Sequence, residues 1–579
     1  VKPVRDKDAT IGRRDFLARV ACATPPLLLS SHAWLGGGSP NVIVRSTRIP
    51  NVADELSADV VVVGGGLGGC AAALAAARNG LRVIMTEETD WIGGQLTQQA
   101  VPPDENQWIE SIGATQSYQA LRSGIRDYYR HHYTLTARAM SNPRLNPGNG
   151  WVSRVCAEPR VCLDVLNGML APFVASGRLR ILLHHKAVRA ETHGDRITAV
   201  HAFSSASGRD VVLNAKYYAD ATELGDLLPL SRTEYRVGSE AQNQTDEPHA
   251  KSIAQRDNMQ GFTMCFAMEY VAGEDHTIDR PRDYAYWRDY TITAADGSPL
   301  RLLSFDEPEV KRIGFDPDSR KGFWSYRRII DRDLFVGGTP SNDVTIVNWS
   351  QNDYSFGLLC DVSSDTAARH IDRAKQLSLS LLYWLQTQAP RPDGGTGWRG
   401  LRLRPDIVGT ADGLAKYPYI RESRRIDAEF TVLEQHVTTE ARMHATGSGI
   451  ADVRAMPFSD TVGIGHYSMD LHLTTTGDRG RYGSTLPFQI PLGALIPRRV
   501  ENLLPACKNI GVTHLTNGCY RLHPIEWNIG ESVGSLVAFA QTKKQSPRAV
   551  RNRPALLTDF QRELERAGVR LAWPDTLPK

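Results

Sequence analysis

Nowhere in the 579 residues is there an apolar run of the roughly 18–20 residues that a membrane-spanning helix needs. The eight cysteines, at positions 22, 70, 156, 162, 265, 360, 507 and 519, form no Cys-x-x-Cys pair, and no His/Cys group has zinc-finger spacing. That removes a structural zinc site, a Cys-x-x-Cys-His haem attachment and an iron–sulfur cysteine run. Charge of one sign is lacking too. With 67 basic and 64 acidic residues the net charge is +3, which gives no electrostatic case for nucleic acid. What is present, 41% hydrophobic and 23% charged residues, describes a soluble globular chain, and its length exceeds a single ordinary core, so two domains are expected. Cys156 and Cys162, the closest pair beyond the N-terminal region, read as two packed thiols rather than a bridge.

The chain is organised around Asp59–Glu87. Val60–Val63 is an apolar run suited to a buried strand, and glycines follow at 64, 65, 66, 68 and 69. An alanine-rich helix pattern runs from Cys70 to Arg78, Asn79-Gly80 stops it, and Leu81–Thr86 reads as a second buried strand ending on Glu87. This is a βαβ unit with a glycine-rich first turn. Gly64-x-Gly66-x-x-Gly69 lets the backbone turn tightly, approach a pyrophosphate and seat the helix close to the sheet. The N–H groups at the helix start supply an anion site. Glu87, 18 residues after Gly69, stands where a carboxylate accepts from a ribose hydroxyl.

Further along, Ile109–Tyr129 has partial helical spacing, and 138–152, rich in Asn, Pro and Gly, reads as loop. Arg160–Val174 predicts a helix, and Leu179–Leu183 a strand. His185–Ala190, Ile197–Phe203 and Asp210–Leu213 predict a small antiparallel meander turning at Gly194 and Gly208. Lys216–Asp220 is a strand running into Ala221-Thr-Glu-Leu-Gly-Asp226. From Tyr235 to Leu486 no dinucleotide signature recurs; strand-like runs (Phe262–Met268, Val344–Asn348) accompany a helix over Ala367–Gln386. Then Glu501–Cys507 predicts a strand, Lys508–Leu522 a loop, and Pro524–Ala540 a helix with proline at its start and Gly530 and Gly534 on one face. The tail carries an amphipathic helix, Leu556–Gly568.

At the N-terminus, Thr10-Ile-Gly-Arg-Arg-Asp-Phe-Leu17 looks like a twin-arginine export signal, with a weak apolar region Val20–Leu29 and a small-x-small site at Ser31-His32-Ala33. Pro25-Pro26 interrupts the apolar region, which leaves a merely basic N-terminus as the alternative. Export of a folded protein suits a chain that must acquire its cofactor first, and the expected location is periplasmic or extracellular.

Glu87-Glu-Thr-Asp-Trp-Ile-Gly-Gly-Gln95 resembles the flavoprotein form of the dinucleotide motif, in which an acid is followed by a second glycine pair; this points to FAD rather than NAD. The elements VVGGGLGG, WIGGQLT, VCAEPRV, ADATELGD, YIRESRRI, DTVGIGHYSMDLH, PFQIPLGALIP and NLLPACKNIGVTHLTNGCYRLHP together resemble the bacterial FAD-dependent oxidoreductase family, related to but distinct from fumarate reductases, over most of residues 58–540. The resemblance implies an α/β fold: a glutathione-reductase-like, Rossmann-type FAD-binding domain with an inserted α+β substrate domain. The expected parts are a signal peptide (1–33), a lead-in (34–57), the first part of the FAD domain (58–234), the substrate domain (235–486), the second part of the FAD domain (487–545) and a helical tail (546–579). The implied cofactor contacts are Gly64, Gly66, Leu67, Gly68, Gly69, Glu87, Glu88, Gly93, Gly94, Gln95, Val188, Ala221, Thr222, His523 and Gly530. In this family the last helix points its N-terminus at the flavin, where its positive end stabilises the reduced ring. No motif commits the chain to a covalent flavin link, so FAD is expected to be held non-covalently.

Hydride transfer to a flavin needs a base for the second proton and groups that hold the substrate. Arg421, Arg424 and Arg425 are candidates to grip a carboxylate, or else form a salt-bridged face with Glu422. His514 and His466 are the first candidates for the base, followed by Tyr520 and His523, with His472 beside His466 in the same motif. The expected function is an exported FAD-dependent oxidase or dehydrogenase acting on a small polar organic substrate. Its electron acceptor (oxygen, a quinone or a redox protein) is left open. The alternatives are a reductase of an activated double bond and a flavin-binding protein without turnover.

Overall fold

The computed structural model describes residues 54–293, 297–306 and 313–578. The twin-arginine segment, Cys22 and the expected strand at 41–45 lie outside them. The first strand, β1 (Asp54–Val63), leads through Gly64–Gly66 into α1 (Leu67–Arg78), and β2 (Val83–Glu87) completes the βαβ unit. Gly64 has φ +97°, and a Cβ there would meet the Ala221 carbonyl oxygen at 2.4 Å, so this tight turn takes glycine alone. The helices α2 (Gln116–His132) and α3 (Pro159–Ala175) precede β3 (Leu179–Leu183), β4 (His185–His193), β5 (Arg196–Ser204) and β6 (Asp210–Asp220). The expected separate strands Asp210–Leu213 and Lys216–Asp220 are one: its first half pairs antiparallel with β5 while its whole length runs parallel to β1. Pairing with β1 continues across Asn214 and Ala215, where composition alone marks a break.

The resulting sheet is seven-stranded, in the order β3-β2-β1-β6-β5-β4, and a late strand pairs in parallel with the end of β6. β1, β2 and β6 end together, and an open parallel sheet presents its ligand crevice at that carboxyl edge.

Between residues 224 and 420 an aromatic-rich core forms around Trp287, Trp324, Trp349, Trp384 and Trp398. It packs on a four-stranded sheet that includes β7 (Phe266–Tyr270), β8 (Arg328–Ile330), β9 (Val344–Val347) and β10 (Leu401–Leu403). It is backed by α4 (Ser364–Thr387), which Ser363 caps by accepting the Thr366 N–H.

The chain then returns to the first sheet through β11 (Leu503–Pro505). The expected loop Lys508–Leu522 contains a helix, α5 (His514–Tyr520), capped by the Thr513 hydroxyl; it lies wholly buried. Thr, Asn, Gly and Cys are weak helix formers, so burial rather than propensity makes this turn. The last long helix, α6 (His523–Lys543), starts with Pro524 and crosses α1 at very short range. A Cβ on Gly530 would lie 1.9 Å from the Gly68 carbonyl oxygen, and one on Gly534 would lie 2.3 Å from that of Ala72. Two short helices, α7 (Pro547–Asn552) and α8 (Pro554–Arg566), close the chain. Cys156 and Cys162 are buried free thiols. No helix among the described residues is long and apolar enough to cross a membrane.

Candidate functional site

The crevice at the carboxyl edge of the sheet is lined by Gly64, Gly66, Thr86, Glu87, Glu88, Lys186, Ala187, Thr222 and Asp226. Glu87 is pinned by the backbone: Gly65 N–H donates to Oε2 at 3.1 Å and Thr89 N–H to Oε1 at 2.7 Å. Burial pushes its carboxyl up to about 8, which favours the neutral form near pH 7 and suits it to a hydroxyl rather than a cation. Glu88 is paired with Lys186 at 2.9 Å. Thr222 donates its hydroxyl to Asp220 at 2.7 Å, fixing the loop that begins at Ala221. Ala187, not Val188, faces the crevice; the Val188 side chain is 46% exposed, so Val188 offers the site only backbone.

Three features fit a dinucleotide here. Gly66 begins α1 with no side-chain cap; Gly68 N–H already donates to Glu526, and the rest of the helix start is left to an anion. The second glycine pair folds back on the first turn, with Gly93 N–H donating to the Gly65 carbonyl at 2.7 Å. Leu67 is fully buried behind the turn, and Gln95 Oε1 is buried beside it with no partner among the described residues, an acceptor that a hydroxyl of a bound group would satisfy.

From this crevice, residues 95–104 lead to a second polar region. Gln95 donates to the Arg521 carbonyl at 3.2 Å and to Glu526 at 2.6 Å, and Asp104 N–H donates to His523 Nδ1 at 3.1 Å. Around the far end stand Arg327, 3.4 Å from Asp104, and Arg521, 2.9 Å from the Tyr419 hydroxyl and 3.0 Å from Asp470. His472 lies between two carboxylates, its Nδ1 2.5 Å from Asp353 and its Nε2 3.4 Å from Asp470. Asp353 is clamped in turn by Arg421 at 2.9 Å and by the Thr263 hydroxyl.

The electrostatics of this row follow from its pairing. Burial alone raises Asp470 and Asp353, but His472 and the arginines outweigh it and hold both carboxyls below the usual range. Burial and Arg421 push His472 down, and Asp470 with Asp353 more than reverse them, so the imidazole sits above its ordinary value. Side chains of His472 and Asp470 are 23% and 26% open although burial dominates both groups.

The residues named from sequence are spread over several roles. Arg421 is in this row, holding Asp353 and capping the Gly261 carbonyl at 2.9 Å, while Arg424 is tied to Asp226 and Asp361, and Arg425 to Glu422 and Glu240. His514 places Nδ1 3.0 Å from both oxygens of buried Glu422, which overcomes burial and raises it. His466 packs edge-on to Trp108 at 5.0 Å, and burial lowers it. Tyr520 donates to the Gln489 carbonyl at 2.6 Å and stacks on Phe488. Burial brings His523 down to about 3, so it is a neutral bridge between Asp104 N–H and the Val101 carbonyl. Gly530 serves helix contact. Sequence reasoning passed over Asp104, Arg327, Asp353 and Asp470. Only Asp470 left a trace: it stands two residues before His472 around a short strand, which turns both to one face.

A family model described as FAD dependent oxidoreductase matches residues 59–564. Among solved structures, the chain is similar to the L-proline dehydrogenase of P. horikoshii (15% identity, 32% of this chain and 25% of that one, TM-score 0.17). It is also similar to a geranylgeranyl bacteriochlorophyll reductase-like protein of Thermoplasma acidophilum (11% identity, 89% and 85% covered, TM-score 0.28). A third is a myxobacterial chondrochloren halogenase (12% identity, 88% and 79% covered, TM-score 0.31).

Proposed function

This chain belongs to the FAD dependent oxidoreductase family, so it is an enzyme with FAD as cofactor; we propose that it oxidises a small polar organic substrate held beside His472. Bound FAD, retained without a covalent link, supplies the two-electron acceptor for the substrate's hydride. The chain's own residues do the rest. Gly64–Gly69 and the start of α1 hold the pyrophosphate, Glu87 holds a ribose, and the second glycine pair covers them. Residues 235–486, with their separate aromatic core, serve as the substrate domain. His472 takes the substrate proton at Nε2, with Asp353 fixing Nδ1, while Arg521 holds Asp470 in place. We place His472 ahead of His514 and His466 because its side chain keeps 23% of its surface open against 8% for His514, and Trp108 packs edge-on to His466.

The observation that carries this reading is the Asp353–His472–Asp470 row, an oriented and partly open imidazole in the polar region that residues 95–104 join to the dinucleotide crevice. Its test is anaerobic mixing of the holoenzyme with a panel of amines, alcohols and hydroxy acids. Bleaching of the flavin by one class supports it; no bleaching by any, with slow reoxidation of chemically reduced flavin by activated alkenes instead, reverses the direction.

At the other end of FAD, Glu87→Ala removes one ribose hydrogen bond, largely uncharged at a carboxyl raised to about 8, and should weaken FAD retention by about 0.5–1.5 kcal/mol. Equilibrium dialysis of the two proteins against FAD measures it, and equal retention refutes the ribose contact.

We further propose export by the twin-arginine route, on the Arg13-Arg14 motif of residues 10–17. Replacing both arginines by lysine should leave flavin-loaded precursor in the cytoplasm, and the mature form beginning near Trp34 should vanish from outside it. Unchanged export of the double-lysine form points to a basic N-terminus without that role.

A further inference from the structure

Glu223 belongs to no part of the chemistry above, yet it lies buried in the middle of the pyrophosphate site with only 6% of its surface exposed. Its Oε1 has no hydrogen-bond partner among the described residues. That oxygen presses against both glycine turns: a Cβ on Gly94 would lie 2.5 Å from it and one on Gly66 3.0 Å. Oε2 is paired with the ammonium of Lys508, whose side chain is 1% exposed. A second carboxylate, Glu526, is fully engaged by Gly68 N–H at 3.1 Å and the Gln95 amide at 2.6 Å, with Lys508 3.9 Å away. Glu223, Glu526 and Cys507 converge on one spot, but Lys508 already supplies the cation there, and burial holds the Cys507 thiol protonated. This is therefore not a metal site.

Two buried acids share one ammonium at this spot, and burial favours the neutral form of Glu526, so Lys508 is the cation that a doubly charged pyrophosphate has to win. Glu526 is anchored by two donors. Glu223 is anchored by Lys508 alone, and its other oxygen lies in the glycine cradle that the pyrophosphate needs. We propose that Glu223 is an intramolecular competitor for the FAD pyrophosphate: it holds the cradle and Lys508 until the dinucleotide displaces it. Lys508 then passes from carboxylate to phosphate, and the cradle is never left as an unsatisfied anion site. The cost of displacing Glu223 is subtracted from FAD affinity, so the wild-type chain binds its cofactor more weakly than its own backbone allows.

This inference rests on the FAD reading, and the test separates the two. Full-length protein freed of flavin is titrated with FAD by quenching of flavin fluorescence. ADP, which carries the pyrophosphate without the flavin, and adenosine, which carries neither phosphate, are measured in competition. Glu223→Gln should tighten FAD and ADP alike, on the order of tenfold, and leave adenosine unchanged. Glu223→Ala, which also vacates the cradle, should shift both in the same direction and stands in if the glutamine variant folds poorly. Lys508→Met should weaken both. Weaker or equal FAD binding by the folded Glu223 variants overturns the proposal, because it makes Glu223 part of the site rather than its rival. A wild type that binds neither FAD nor ADP overturns the cofactor reading itself.

Discussion

His472→Ala should slow reduction of the flavin by substrate by about 10²–10⁴-fold, the range for loss of a general base, with FAD content unchanged. Rapid mixing of holoenzyme with whichever compound bleaches the flavin reads this directly, normalised to bound FAD. The pH profile identifies the group. Only the free imidazole accepts a proton, so the rate of substrate oxidation should rise with pH through the His472 transition, which its two aspartates place above the ordinary histidine value. Asp353→Asn removes one of the charges that raise it, so the rise should move to lower pH. A purely structural His472 predicts lower stability or lost flavin, and no movement of the profile in Asp353→Asn. His514→Ala is the contrast. It strands part of the buried Glu422, so we expect about 1–3 kcal/mol of lost stability with flavin reduction little changed in the protein that remains folded. Normal reduction in His472→Ala together with a slow His514→Ala would return the base to the segment before α6.

Gly530→Ala should cost about 3 kcal/mol or more of folding stability and most of the bound flavin, above the ordinary range for overpacking. The obstacle is backbone: the new methyl would sit 1.9 Å from the Gly68 carbonyl oxygen, at the turn of α1 that faces the pyrophosphate. No rotamer relieves that contact, so α6 must move away from α1, and Glu526 would lose its bond to Gly68 N–H. Gly168→Ala is the matched control. Gly168 lies on the exposed side of α3, with nothing within 4 Å of a Cβ, so alanine there should stabilise by about 0.5–1 kcal/mol through helix propensity. Thermal unfolding of the two variants, with flavin absorbance of each, decides the matter. Two variants of equal stability would mean that α1 and α6 do not approach as closely as described.

The dinucleotide half of the site was legible in the sequence because its chemistry is local. A strand, a glycine turn, a helix and an acid lie within Asp59–Glu87, and backbone geometry alone brings Gly64, Gly66 and Glu87 to one anion site. Gly530 and Gly534 were legible as a contact face, since helical spacing puts residues four apart on one side. The short helix α5 was not legible, because its residues are poor helix formers and tertiary burial decides it.

What the sequence determined by itself, then, is the cofactor, the sheet that presents it and the family. Only the tertiary structure decided the charged row around His472. Asp104, Arg327, Asp353, Arg421, Asp470 and Arg521 come from segments far apart in the chain and share no spacing, and each is an ordinary charged residue when read alone. Folding removes them from water, and a buried charge must then find its partner. That requirement pairs Asp353 with Arg421 and His472, and it sets Glu223 against Lys508 in the pyrophosphate cradle. No one-dimensional pattern records such pairings, because the pairing is a consequence of burial and burial is a property of the assembled chain.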